Sequence, residues 1–390
     1  GGNGISAEAT MAGGAIDIDT AVAATVTGNS GFGIDTTTVD GLTTITTNGN
    51  VVGDLGGINA NSTTGVIDIE TNGTVNSSAG TGVFALTGGN VDLDINNNVT
   101  GAASGVVGVS NGGGTVTINT AGGTTVTGTG GTGVAGLSST GTIDIVTNGI
   151  VTGQHGVFAS STSGDIFIDT LSTVTGTINN GVLAFTGGAG NVDIDVLSGN
   201  VTGGLNGVSS NVGGTGSSDI QATSAASVIT GTSANGILAA TTSGANTVNV
   251  LGSVSGATNG ISTVTTTGAT LITTGVSTAG GTGDGVNASS TSGDIIVNAN
   301  GTITSAGDDG VQTATGGAGA STVTIAANIT AADDGVNTST SAGQNTVAFN
   351  SGTINAINEG IEASSTGGGG ITVTATLGTT ITGTANNGIV

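Results

Sequence analysis

The sequence predicts an all-β fold, a single-stranded parallel β-helix (β-solenoid) with three short strands per coil, about 25 residues per coil and about fifteen coils. Three observations predict it. First, a marker Gly followed by Ile or Val recurs in the same phase of every repeat, at Gly4, Gly33, Gly57, Gly82, Gly105, Gly133, Gly156, Gly181, Gly207, Gly236, Gly260, Gly285, Gly310, Gly335, Gly360 and Gly388. The intervals run from 23 to 29, with four consecutive intervals of 25 between Gly260 and Gly360. Second, aliphatic and polar residues alternate in runs such as "NVDLDIN", "GTIDIVT" and "NVDIDV", the period-two pattern of a half-buried strand. Third, three short strands and three turns are too little to bury their own apolar face, so neighbouring units must stack.

Each element follows from its place in the repeat. The first strand, as in "GVNAS", starts at the marker glycine; its first residue is Ile or Val and its third is usually Ala, Gly, Ser or Thr, and both are expected inside. The marker glycine itself is expected to supply a positive φ or a tight corner. The second strand is the alternating run, as in "GDIIVN", and the third is "GTIT" or "TVTG". Glycine-rich stretches such as "STSGD" and "TGGAGN" vary in length and are expected at solvent-facing corners. Composition is uniform from end to end, so residues 1–390 are expected to form one continuous solenoid, uncapped at both ends and open at its strand edges. Fifteen coils about 4.8 Å apart would make a rod on the order of 70 Å long.

The chain holds 24 acids and no Lys or Arg, a formal charge of −24. Phosphate backbones and anionic membrane surfaces are therefore repelled, and no apolar run approaches a membrane span. Nucleic acid and direct membrane insertion are excluded as expectations. The opening "GGNGISAEAT" has neither a basic region nor a long apolar core, so a signal peptide is expected to be removed or to lie outside this chain. Cysteine is absent and gives no vote on redox compartment. "GVSNG" at 108–112 has nucleophile-elbow spacing and "GTGGTG" at 128–133 a dinucleotide-fingerprint spacing, but glycine abundance produces both by chance. His155 is the lone histidine and leaves no base for a serine nucleophile; it is expected to be solvated at a turn. The chain is accordingly expected not to be an enzyme. The alternative is polysaccharide cleavage by paired carboxylates, against which stand the absent Trp, Tyr, Arg and Lys.

Alignment on the marker glycine stacks Asp284, Asp309, Asp334 and Glu359 in one row, with Asp308 and Asp333 at the same corner. Adjacent carboxylates about 4.8 Å apart repel by roughly 0.9 kcal/mol even in water. With no basic side chain to balance them, the balance must come from bound cations, bulk counterions or shared protons. Ca2+ is the candidate cofactor because it takes several hard oxygen ligands. Earlier coils place Asn180, Asn206, Asn235 and Asn259 in that row, an amide ladder that can hydrogen-bond along a stack. A second acid set, including Asp68, Glu70, Asp92 and Asp94, is expected on the solvated face of the second strand. The outward positions of the first strand become apolar at Phe84, Leu86, Val107, Val109, Leu137, Phe158, Leu183 and Phe185, with Leu238 later, and a contiguous apolar patch marks an interaction surface. Threonine recurs outward on the third strand, as at Thr125 and Thr127; the row is interrupted, as at Ile150, which weighs against an ice-binding array.

The phrases "NGTITSAGDDGV", "TVTGTGGTGVAGLSSTGTIDIVTNGIVTG" and "TGDGVNASSTSGDIIVNANGTIT" resemble the repeats of autotransporter passenger domains and related large secreted β-helical adhesins of Gram-negative bacteria. The resemblance covers the whole chain, without the signal peptide or the membrane barrel of that family. It implies a right-handed helix and an extracellular or bacterial cell-surface location. The function expected on these grounds is an extracellular structural or adhesive β-helical rod that presents rows of Thr, Asn and Asp and can assemble into filaments. Its expected partners are further copies, end to end or laterally, and a host surface or matrix component.

Overall fold

A computed structural model describes residues 2–390. Its 45 strands come three to a coil over fifteen coils, and corresponding strands of successive coils fall into three parallel sets, here called sheets A, B and C. The chain is a β-solenoid repeat protein, as its periodicity predicts. It divides into two compact units, residues 1–190 and 191–390.

In unit 1 a representative coil runs Val106–Ser110 in sheet A, Val116–Thr120 in sheet B and Thr125–Gly128 in sheet C. Each strand pairs in strict register with its counterpart one coil on, as Val106 with Val134, Val116 with Ile143 and Thr127 with Thr152. The residue after the marker glycine is buried in every coil from Ile34 to Val182, and so is the third, as at Ala60 and Ala85. At Gly108 and Gly136 the third residue has no side chain at all. A Cβ there would meet Val116 Cγ1 at 2.9 Å or Ile143 Cγ2 at 2.7 Å, so the small column of sheet A exists to admit the large column of sheet B.

Unit 2 uses the same frame with a different filling. Its representative coil runs Val311–Thr315, Ser321–Ile325 and Ile329–Ala331. Across the corner between sheets A and B, Ser218 Oγ donates to Ser210 Oγ at 2.7 Å, and Thr313 Oγ1 and Ser321 Oγ lie 2.6 Å apart, all four buried. Asn345, fully buried, donates from Nδ2 to the carbonyls of Thr338 and Ser364, both at 3.0 Å. Asn246 does the same to Ala239 and Val264. Pairing across the corner lets hydroxyls and amides occupy interior positions that most coils of unit 1 fill with aliphatics, although Thr38 and Thr43 already pair in this way in its second coil at 3.2 Å; a buried polar group is costly mainly when it lacks a partner.

The marker glycines do not adopt positive φ: the glycines that do are Gly13, Gly113, Gly123, Gly199, Gly352, Gly368 and Gly378, none of them a marker. The reason for glycine lies in the stack. A Cβ on Gly310 would fall 2.3 Å from Ile329 Cγ2 and 2.6 Å from the Gly335 carbonyl of the next coil. The backbone of each coil approaches too closely at this corner for any side chain.

Candidate functional site

The acid row of unit 2 forms one continuous hydrogen-bonded column. At the position before the marker glycine, the side-chain oxygen of each coil accepts the backbone N–H of the same position one coil on. Asn235 N–H donates to Asn206 Oδ1 at 3.0 Å, Asn259 N–H to Asn235 Oδ1 at 3.3 Å, and Asp284 N–H to Asn259 Oδ1 at 2.8 Å. The column then passes from amides to acids without a break: Asp309 N–H to Asp284 Oδ1 at 3.1 Å, Asp334 N–H to Asp309 Oδ1 at 2.9 Å, and Glu359 N–H to Asp334 Oδ1 at 2.9 Å. Asn and Asp are interchangeable in this role because both offer the same acceptor oxygen. The second oxygen of each aspartate takes an amide from the sheet A residue three places on: Asn287 Nδ2 to Asp284 Oδ2, Gln312 Nε2 to Asp309 Oδ2 at 3.4 Å, and Asn337 Nδ2 to Asp334 Oδ2 at 3.4 Å.

Asp284, Asp309 and Asp334 are almost wholly buried, at 2, 2 and 4 % exposure. Burial pushes Asp284 up to about 6, against the pull of its hydrogen bonds from Asn287 and the Asp309 amide. Burial pushes Asp309 up to about 7; the Asp334 amide opposes this, and the neighbouring carboxylates of Asp334, Asp284 and Asp308 reinforce it. Glu359 is raised chiefly by sharing a proton-bearing hydrogen bond with Asp334, and Glu362 chiefly by burial, then by Asp334. Backbone amides therefore meet the buried oxygens where a basic side chain would elsewhere, and the upward shifts of Asp284 and Asp309 favour proton uptake by the column as pH falls through 7.

Two groups of carboxylates come together with one oxygen from each residue within 4.8 Å of the others: Asp284, Asp308 and Asp309, and Asp334, Glu359 and Glu362. Of the residues the sequence points to, Asp333 joins neither group; its Oδ1 accepts Asn358 Nδ2 instead. Glu362 was not legible from the marker row because it lies on sheet A, three residues along, and reaches the row only through the turn of the strand. As a calcium site the arrangement fits poorly. In the aspartate column each Oδ1 is already committed to a backbone N–H, whose positive end faces the oxygens, and Ca2+ requires six to eight oxygen ligands.

In unit 1 the apolar positions stand outward in register with no bulge. One column runs Phe84, Val107, Ala135, Phe158 and Leu183, the other Leu86, Val109, Leu137, Ser160 and Phe185. Apart from buried Ala135 these residues are half-buried, and Phe185 is 40 % exposed. Ser160 interrupts the second column and opens a groove of about 310 Å³ between Leu137 and Phe185, lined also by Val109 and Asn111. His155 is not freely solvated: burial lowers its pKa, and its ring lies 5.7 Å from that of Phe158. Leu238 lies in unit 2, flanked in register by Ser209 and Ser262, and belongs to no apolar column.

The second acid set stands outward on sheet B, where Asp92 pairs with Asp68 and Asp94 with Glu70. Amides dilute the repulsion: Asn119 Nδ2 donates to Asp94 Oδ1 at 3.1 Å and Asn96 Nδ2 to Glu70 Oε1 at 3.2 Å. Burial, then the neighbouring acids, raises Asp68 and Asp92. On sheet C, Thr100, Thr127, Thr152 and Thr175 align in one column, but the column beside it is interrupted where Thr125 pairs with Ile150.

No protein-family model, no curated protein and no solved structure matches the chain. The fold and the two surfaces described above are the ground for its function.

Proposed function

We propose that the chain is a non-catalytic structural and adhesive β-solenoid that works at or outside a bacterial surface. The observation that carries this reading is the double apolar column of unit 1. Side chains such as Phe84, Phe158, Leu183 and Phe185 stand in register on the outward face of a regular sheet, where a chain with no partner has no use for them. The extracellular setting and the kinship with autotransporter passengers rest on the repeat resemblance. The lateral or end-to-end association of copies, and contact with a host surface or matrix component, are uses of the same face. Carbohydrate cleavage is disfavoured because three of the six gathered carboxylates, Asp284, Asp309 and Asp334, are buried and hydrogen-bonded to backbone amides, out of reach of a sugar.

Binding of the purified chain to apolar-coated beads, and its association measured by sedimentation velocity, test the reading. The double substitution Leu137→Asp with Phe158→Asp is expected to abolish both while leaving the far-ultraviolet circular dichroism unchanged. Equal binding and association by the variant would refute it.

A further inference from the structure

The sequence contains eleven Asn-Gly steps, the dipeptide in which the following amide nitrogen most readily attacks the asparagine side chain. That attack needs a glycine N–H free of other partners and a mobile asparagine. The coil stack withholds both at most of these steps. The glycine N–H is bonded at Gly4 (to Phe32 O, 3.0 Å), Gly73 (to Thr47 O, 2.9 Å), Gly207 (to Asn235 O, 3.1 Å), Gly236 (to Asn259 O, 3.0 Å) and Gly260 (to Asp284 O, 3.0 Å). At Gly49, Gly149 and Gly301 it is bonded to the inward hydroxyl of Thr20, Thr120 and Thr274.

Asn111–Gly112 differs. Both residues are exposed at the corner between Val106–Ser110 and Val116–Thr120, and the Gly112 N–H makes no hydrogen bond among the described residues. Only the backbone of Asn111 is held, its N–H on Thr87 O at 2.9 Å and its carbonyl accepting Ser139 Oγ at 2.9 Å. The following Gly113 takes a positive φ of 95°, so the segment leaves the ladder there.

We infer that Asn111 is a site of spontaneous deamidation, set apart by the unbonded Gly112 amide from the eight Asn-Gly steps whose glycine N–H is bonded above. The Gly112 nitrogen gives up its proton to water and bonds to Asn111 Cγ, the Cγ–Nδ2 bond breaks, and ammonia leaves a five-membered succinimide. Water then opens either C–N bond of that ring, giving aspartate or isoaspartate; the sum is one water consumed and one ammonia released. The product places a carboxylate in the wall of the apolar groove beside Val109, Leu137 and Phe185. The isoaspartyl form also lengthens the backbone of a corner held by the bonds to Thr87 and Ser139.

The folded full chain is incubated at pH 8 in 18O-labelled water, digested with an Asp-specific protease because trypsin has no site, and read by mass spectrometry. A parallel sample is incubated in denaturant. Asn111 is expected to deamidate at least about tenfold faster than Asn72, Asn235 and Asn259 in the folded chain, since those steps must first open locally. The four rates are expected to converge in denaturant, and isoaspartyl methyltransferase is expected to label position 111. Retention of the Asn111 amide while the denatured chain reacts would overturn the inference, as would equal folded-state rates at Asn72 or Asn259.

Discussion

In unit 1 sheet A carries Phe, Leu and Val outward and Ala or Gly inward between Val83 and Thr186. In unit 2 the same outward positions carry Asn287, Gln312, Asn337 and Glu362, and the inward ones include Ser210, Thr263, Thr313 and Thr338. The row before the marker glycine differs in the same sense. Unit 1 fills it with Phe32, Thr81, Thr132 and His155, which share no continuous side-chain ladder, while unit 2 runs an unbroken amide-to-carboxylate column from Asn206 to Glu359. The two units thus keep one backbone frame and move their polar groups between surface and interior. The frame is set by the aliphatic after each marker glycine and by the coil-to-coil ladder; within it buried polar side chains vary, many bonded across the corner or up the stack, while the hydroxyls of Thr263, Thr270 and Thr278 have no partner among the described residues.

The largest effect is expected where that common frame itself is broken. Gly310→Ala drives a methyl into Ile329 and the Gly335 carbonyl and is expected to cost about 3 kcal/mol or more. Gly122→Ala, where a Cβ meets nothing within 4 Å, is expected to be nearly neutral. Denaturant unfolding of the two variants checks this, and equal midpoints would remove the stacking explanation of the marker column.

The polar interior of unit 2 comes next. Ser321→Ala strands the Thr313 hydroxyl and is expected to cost about 1–3 kcal/mol, whereas Thr313→Val with Ser321→Ala removes both partners and should cost less than the sum of the single changes. Simple additivity in the double-mutant cycle would mean that the pair does not act as a pair.

The smallest effect of the three concerns charge and depends on pH. Because Asp284 and Asp309 are raised in the folded chain, the native state binds more protons than the unfolded one between about pH 4 and pH 7, and stability falls as pH rises through that window. Asp309→Asn keeps the acceptor for the Asp334 amide and removes the charge. It is expected to stabilise the chain by on the order of 1 kcal/mol at pH 8 and to change nothing at pH 4. Thermal melts across pH check it; stabilisation that is equal at both pH values would show that charge is not the cause.

Much of the frame is legible in the sequence because its determinants are local. Ile or Val after Gly fixes the inward column, and the alternation in "NVDLDIN" fixes sheet B. What is not legible depends on the neighbouring coil. Gly310 looks like a turn glycine until the Gly335 carbonyl is seen above it. Thr304 and Thr313 read alike on a strand, yet one faces out and the other is fully buried, in the inward column of sheet A where its hydroxyl meets Ser321 across the corner. The acid row itself was legible from the marker spacing. Its neutralisation by backbone amides was not, since the donors belong to the next coil, and Glu362 enters only through the turn of its strand.

The most direct test of the central claim, that amides and protons rather than a bound cation balance the buried column, is a carboxyl-carbon NMR titration of aspartate-labelled protein with calcium and with chelator. Asp309 is predicted to titrate at about 7 in both. An Asp309 that stays ionised to pH 5 with calcium and moves upward only when the chelator is added would contradict the account.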